Sequence, residues 1–333
     1  MYINQVFKLT MVLNTDRFDR IFKKRDLLEA DKDEYIDTSL AHKGVTVLYR
    51  DSRYKKKVSL IVDSAVVLKE KGLDAHKLIN KLEKRICEYF GGKYSLKDFT
   101  LTELALTADI NVGSQDMVAS YIRVIRRVGK VKGFSQVRYE GLDASKNFCL
   151  EGNSNGVSFL LYDLHTTLAN RSGIRDAKGI LRAEVCLTSS KAIRNHSNRD
   201  NIAGQILELS GRSEKIFMGI FSQIIPSGDS YKKGEAVNIV RQKVRDLRQQ
   251  RKMLRLIELI SEKKSVLLAQ KAMSYREPNR LLAAFTDIGL SPVTISKRMD
   301  VIYLPSLYFY MNYSRAAKEM ESLPEKISPL KLY

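Results

Sequence analysis

The chain has 333 residues, 57 Lys and Arg against 38 Asp and Glu for a formal net charge of +19, and a 44% hydrophobic content. That balance, with only 18 Gly and 6 Pro, excludes a disordered or collagen-like chain and leaves one large or two ordinary globular domains. Three scattered cysteines, Cys87, Cys149 and Cys186, contain no C-x-x-C, which argues against a disulfide framework or thiolate metal site and for a reducing cytoplasm.

In chain order, the N-terminal text MYINQVFKLTMVLNTDRF lacks the basic start, apolar run and small-residue cleavage site of a secretory leader and reads as a first strand. Val6–Leu13, Val45–Tyr49 and Val58–Val62 are β-branched and apolar and predict strands. Leu78, Ile79, Leu82, Ile86, Tyr89 and Phe90 recur at three and four, and Gly91-Gly92 follows, predicting an amphipathic helix and its stop. Phe99–Val112 predicts a strand, Gln115–Val128 a helix, and Val157–Asp163 and Ile180–Leu187 two further strands. Ala236–Glu262, Ser265–Met273, Asn279–Phe285 and Pro292–Arg298 predict four helices. The cluster Ile225-Pro226-Ser227-Gly228-Asp229-Ser230 marks a boundary between residues 1–228, an α+β sheet domain with helices on one face, and residues 229–333, a helical domain. No uninterrupted run approaches the ~18 apolar residues of a membrane span.

A basic protein of this kind is expected to meet a polyanion, because clustered cations displace counterions from phosphates. Six basic residues and one acid lie between Gln115 and Arg138: Arg123, Arg126, Arg127, Lys130, Lys132 and Arg138. Between Lys232 and Arg255 there are nine basic residues and two acids, starting with Lys232 and Lys233. On one continuous helix Arg241, Arg245, Arg248, Lys252 and Arg255 share a face. Like charges so close repel unless an anion neutralises them, so both segments are candidate DNA-backbone surfaces. The short C-terminal helices suit a small helix-turn-helix-like DNA-binding module or a supporting bundle.

Strand alternation puts Leu104, Leu106, Ala108 and Ile110 on one side of the 99–112 strand and Glu103, Thr107 and Asp109 on the other. The same alternation pairs Arg182 with Glu184, and it carries Asp163 and His165 to one face near the end of their strand. Mid-strand carboxylates require a partner, either a divalent cation or an arginine ladder.

Three motifs in order, Leu101-Thr-x-x-x-Leu-x-x-Asp-Ile110, Asn153-Ser-x-Gly-Val-Ser-Phe-Leu-Leu-Tyr-Asp163 and Gly179-Ile-Leu-Arg-Ala-Glu-Val185, resemble the replication initiation factors of rolling-circle plasmids, phages and integrative elements. The resemblance covers about residues 1–235. It implies an antiparallel-rich central sheet and an origin-specific nickase and strand-transferase that cuts one strand with a tyrosine, stays joined to the 5′-phosphate and uses Mg2+ or Mn2+. Carried onto this sequence, Asp109, Asp163 and Glu184 become the metal ligands and Arg182 the companion of Glu184. Ala105 stands where the family often has an acid or histidine, so the metal shell is expected to be either incomplete or completed by Glu103 or His165. Tyr231, downstream of the Arg-x-Glu strand at the start of the most basic segment, is the expected nucleophile, with Tyr162 and Tyr121 as rivals. The partners expected are origin DNA, duplex or single-stranded, a host helicase and a second copy of the chain. A DNA-binding regulator without catalysis is the alternative, and Ala105 is its support.

Overall fold

The computed structural model describes residues 3–24, 34–52, 55–69, 74–139, 141–172, 177–273 and 277–312. Among them, nine strands form one antiparallel sheet: β1 (Asn4–Leu13), β2 (Glu34–Asp37), β3 (Val45–Ser52), β4 (Lys55–Asp63), β5 (Thr100–Asn111), β6 (Phe134–Gln136), β7 (Asn147–Gly152), β8 (Val157–Asp163) and β9 (Ile180–Leu187). Their order is β2-β3-β4-β1-β5-β9-β8-β7-β6, so β1, β5 and β9 lie at the centre. All the strands expected from sequence are present. The edge strands β2 and β6, and β7 beside β6, were not legible, being short and broken by charged or small residues.

The period of two divides the sheet's faces. Phe7, Leu9, Leu104, Leu106, Ala108, Phe159, Leu161, Leu181, Ala183 and Val185 belong to the main core. The buried residues of helices α3 (Ala75–Phe90), α4 (Gln115–Ile125), α7 (Ile202–Gly211) and α8 (Ser213–Ile224) belong to the same core. Asp74 caps α3 by accepting from the Lys77 amide, and Gly91 at φ 63° ends it. The opposite face carries a smaller cluster of Val6, Ile61, Ala105, Cys149, Leu160, Tyr162 and Cys186, covered in part by Leu164 and Leu168 of α5 (Leu164–Ser172). The remaining α-helices among the described residues of the first 230 are α1 (Thr15–Lys24), α2 (Ser64–Leu68) and α6 (Ser190–Arg194).

The C-terminal part contains β10 (Ser230–Tyr231), α9 (Lys233–Lys243), α10 (Leu247–Lys263), α11 (Val266–Ala272), α12 (Pro278–Asp287), β11 (Tyr303–Leu304) and α13 (Leu307–Asn312). Two expectations are corrected here. The helix expected over Ala236–Glu262 is two helices, because the chain turns at Val244 (φ −104°, ψ 108°) and Asp246 caps α10 by accepting from the Arg248 amide. The helix expected over Pro292–Arg298 is absent; Val293, Thr294 and Ile295 are buried and Ile295 bridges Lys232, as β-branched residues favour. A helix-turn-helix ending in that segment therefore does not form.

The C-terminal helices share the main core with the sheet's helical face. The Tyr121 hydroxyl donates to the Pro305 carbonyl at 2.7 Å and the Tyr308 hydroxyl to Ile225 at 2.8 Å. The Lys130 amide donates to Ser265 Oγ at 3.1 Å. Gly129 makes that approach possible: at φ +66°, an added Cβ would lie 2.3 Å from the Lys264 carbonyl oxygen.

Candidate functional site

The central strands carry a polar constellation on the face opposite the main helical layer. Register pairs Asp109 with Arg182, Thr107 with Glu184, and Tyr162 with Arg182. Arg182 donates from Nε to Asp109 Oδ1 at 2.5 Å and from Nη2 to Oδ2 at 2.6 Å, a two-pronged pair with side chains 6% and 9% exposed. The Tyr162 hydroxyl donates to Glu184 Oε1 at 2.5 Å. Burial opposes the charged guanidinium, but the bonded Asp109 together with Tyr162 and Glu184 outweighs it and holds Arg182 above its ordinary range. Burial, followed by the Glu184 carboxylate, pushes the Tyr162 hydroxyl well up.

Arg182 thus lies beside Glu184 as alternation predicts, but its hydrogen-bonded ion-pair partner is Asp109 on the neighbouring strand. Only cross-strand register decides this, since pairing is a property of two strands.

Asp163 goes elsewhere. Its pair is Leu181, a main-core residue, so its side chain leaves on the helical side. There it accepts from Gln115 Nε2, from the Thr166 amide at 3.2 Å and from the Thr166 hydroxyl at 2.6 Å. It caps α5. His165 lies within α5 and does not continue the strand. Glu103 takes a salt bridge from Lys8 at 2.9 Å.

Asp63, which the sequence did not single out, lies on the polar face instead. It ends β4, pairs with Val6, accepts from Asn4 Nδ2 at 3.2 Å and caps α2 through the Ala65 amide. Burial raises its pKa, against the Val66, Asn4 and Ala65 hydrogen bonds and the charge of Arg182. The parity of two similar strands could have revealed it. Counting from Val58-Ser59 the aspartate is five residues past the valine, and from Val157-Ser158 it is six. One residue exchanges the faces.

The metal ligands implied by the family resemblance do not form a donor set. Both Asp109 oxygens accept from Arg182, Glu184 Oε1 accepts from Tyr162, and Asp163 lies on the other side. Among the described residues no group of three or more His, Cys, Asp or Glu is arranged to hold a metal ion.

Tyr231 is placed on β10, pairs with Tyr303 at a ring separation of 5.0 Å, and packs against the main core. The acids Asp109 and Glu184 lie on the opposite face of the sheet. Tyr121 is buried in α4. Tyr162 is the tyrosine that joins the acids, and it is 1% exposed.

The cationic segments divide by what their side chains touch. Arg123, Arg126, Lys130, Lys132, Arg241, Arg245, Arg248, Arg251 and Lys252 are exposed. Arg127 is half-buried, and its desolvation lowers its pKa. Arg126 donates to the Ser145 carbonyl at 3.2 Å. Lys232 serves the fold: its ammonium donates to the carbonyls of Ser296, Lys297 and Met299. Lys233 is half-buried at the start of α9. Arg255 pairs with Glu258 at 2.5 Å. The α9–α10 turn and the first turns of α10 therefore form an exposed ridge of Arg241, Arg245, Arg248, Arg251 and Lys252.

No helix among the described residues is long and apolar enough to cross a membrane. Neither a scan against protein-family models nor a search of curated proteins finds a match to this chain.

Proposed function

We propose that the protein is a DNA-binding replication initiator of the rolling-circle type that grips the phosphate backbone through the α9–α10 ridge and the Arg123–Lys132 segment. The supporting observation is the ridge itself: six exposed cations within twelve residues, the five of the ridge and Lys243, which donates to the Ile288 carbonyl at 3.0 Å, with one intervening acid, Asp246, spent capping α10. Such a surface gains free energy by releasing counterions from phosphates, and the gain weakens steeply with salt. The test is binding of origin-containing duplex against salt. Affinity that ignores salt, or is unchanged by Arg248→Ala with Lys252→Ala, overturns the reading.

Strand nicking is a second reading, and one observation favours it: the Tyr162 hydroxyl donates to Glu184 beside Arg182. That is the arrangement of a nucleophile, its base and a charge stabiliser. In that chemistry the tyrosine oxygen bonds to phosphorus, the 3′ oxygen leaves and the phenolic proton passes to Glu184. Burial of Tyr162 stands against it and favours a binding role. Incubating a single-stranded origin fragment with the protein in Mg2+ or Mn2+ decides. A 5′-linked adduct lost in Tyr162→Phe assigns that pair, one lost in Tyr231→Phe assigns Tyr231, and no adduct leaves a DNA-binding protein without nicking.

A further inference from the structure

A cleft of about 380 Å³ opens between α1, the end of α3 and the turn that follows it. Its walls include Arg17 and Arg20 of α1, Lys93 and Tyr94 of the turn, Phe90, and Asp98. Gly91 and Gly92, at φ 63° and 75°, end α3 and let the chain turn back so that Lys93 and Tyr94 face α1. Arg17, Arg20 and Lys93 are exposed, and Tyr94 is half-buried, held in an edge contact 5.4 Å from Phe90. Among the described residues the one acid in this wall is committed locally: Asp98 Oδ2 accepts from the Ser95 amide at 2.7 Å and its hydroxyl at 3.2 Å. The cleft is therefore lined by three cations and a braced aromatic ring, with Arg20 Nε donating to the Asp16 carbonyl at 3.2 Å, in a volume within the range of small-ligand pockets.

We propose that this cleft binds a nucleotide unit, with the phosphate on Arg17, Arg20 and Lys93 and the base against Tyr94. Cations lining one cleft select an anion, and guanidinium groups suit phosphate in particular. The aromatic wall selects a flat partner, and stacking is tolerant of base identity because every base has a π-face. A carboxylate or sulfate would use the cations and leave Tyr94 idle. The same chemistry is offered by a free nucleotide and by one residue of a single strand. None of these side chains belongs to the α9–α10 ridge, so this site and duplex binding fail or succeed separately.

The experiment is calorimetric titration with dTMP, dT12 and inorganic phosphate, on the full chain and on Arg17→Ala/Arg20→Ala/Lys93→Ala. Tyr94→Leu is a second variant, with folding checked by circular dichroism. All titrations are made in the Arg248→Ala/Lys252→Ala background, to weaken binding at the ridge. The expected result is saturable binding of dTMP or dT12 that weakens about tenfold or more in the triple variant and measurably in Tyr94→Leu. Phosphate alone is expected to bind at least about tenfold more weakly. Binding of dT12 tighter than dTMP assigns a strand segment, and equal binding assigns a free nucleotide. No binding of either, equal affinity in the triple variant, or phosphate binding as tightly as dTMP overturns the proposal.

Discussion

Arg182 and Asp109 face each other across β9 and β5, and Arg182 donates two hydrogen bonds to Asp109, at 2.5 and 2.6 Å, with almost no solvent contact. Breaking such a pair leaves a buried charge uncompensated, at a cost of about 3–5 kcal/mol. Asp109→Ala is therefore expected to destabilise the fold by that amount in urea denaturation. Replacing both partners, as Asp109→Leu with Arg182→Met, is expected to cost less than Asp109→Ala alone. If the double replacement costs more, the pair is not acting as a buried ion pair.

Tyr162→Phe removes the hydroxyl that donates to Glu184 Oε1 in a fully buried site. The expected loss is about 1–3 kcal/mol, the cost of a buried acceptor deprived of its donor. The same substitution at Tyr121, whose hydroxyl holds the Pro305 carbonyl, is expected to loosen α13 locally, read as faster amide exchange there.

Asp63 has its folded pKa raised above the ordinary 3.8 by burial. A raised carboxyl favours the folded state while protonated, and that contribution is lost as pH climbs from the unfolded pKa through the folded one. Asp63→Asn keeps a competent N-cap and removes the titration. Relative to wild type, the variant is expected to gain stability as pH rises above about 4. Denaturant midpoints across pH read this difference directly, and a flat difference removes Asp63 as its source.

Lys232 and Lys252 are both basic residues of the same segment, yet opposite phenotypes are expected. Lys252→Ala on the exposed ridge is expected to leave stability within about 0.5 kcal/mol. It is expected to shift the slope of log K against log salt by about 0.9 per lost phosphate contact. Lys232→Ala strips three carbonyls of their donor and is expected to destabilise the 296–299 turn while leaving the salt slope unchanged.

Gly129→Ala is expected to destabilise by more than the 1–3 kcal/mol of a strained backbone. Its Cβ collides with Lys264 and Ser265 where the C-terminal helices meet the turn after α4. Gly133→Ala, at φ +81° with open space around it, is the control for strain alone.

The sequence by itself determined the central elements. Period-two alternation in β5 and β9 already assigned Asp109, Arg182 and Glu184 to the opposite side from Leu106 and Val185, because side-chain direction in a strand is local. The i, i+3, i+4 pattern likewise marked α3 and α4. Charge counting located the basic ridge, though not the break at Val244, where a cap at Asp246 overrides a periodicity that runs through it.

Tertiary structure alone decided which partners those side chains found. Register brought Arg182 to Asp109 and Tyr162 to Glu184. Packing of β10 and β11 kept Tyr231 away from the acids and spent Lys232 on a turn. Pairing depends on neighbours distant in sequence, so no local pattern could have assigned those partners.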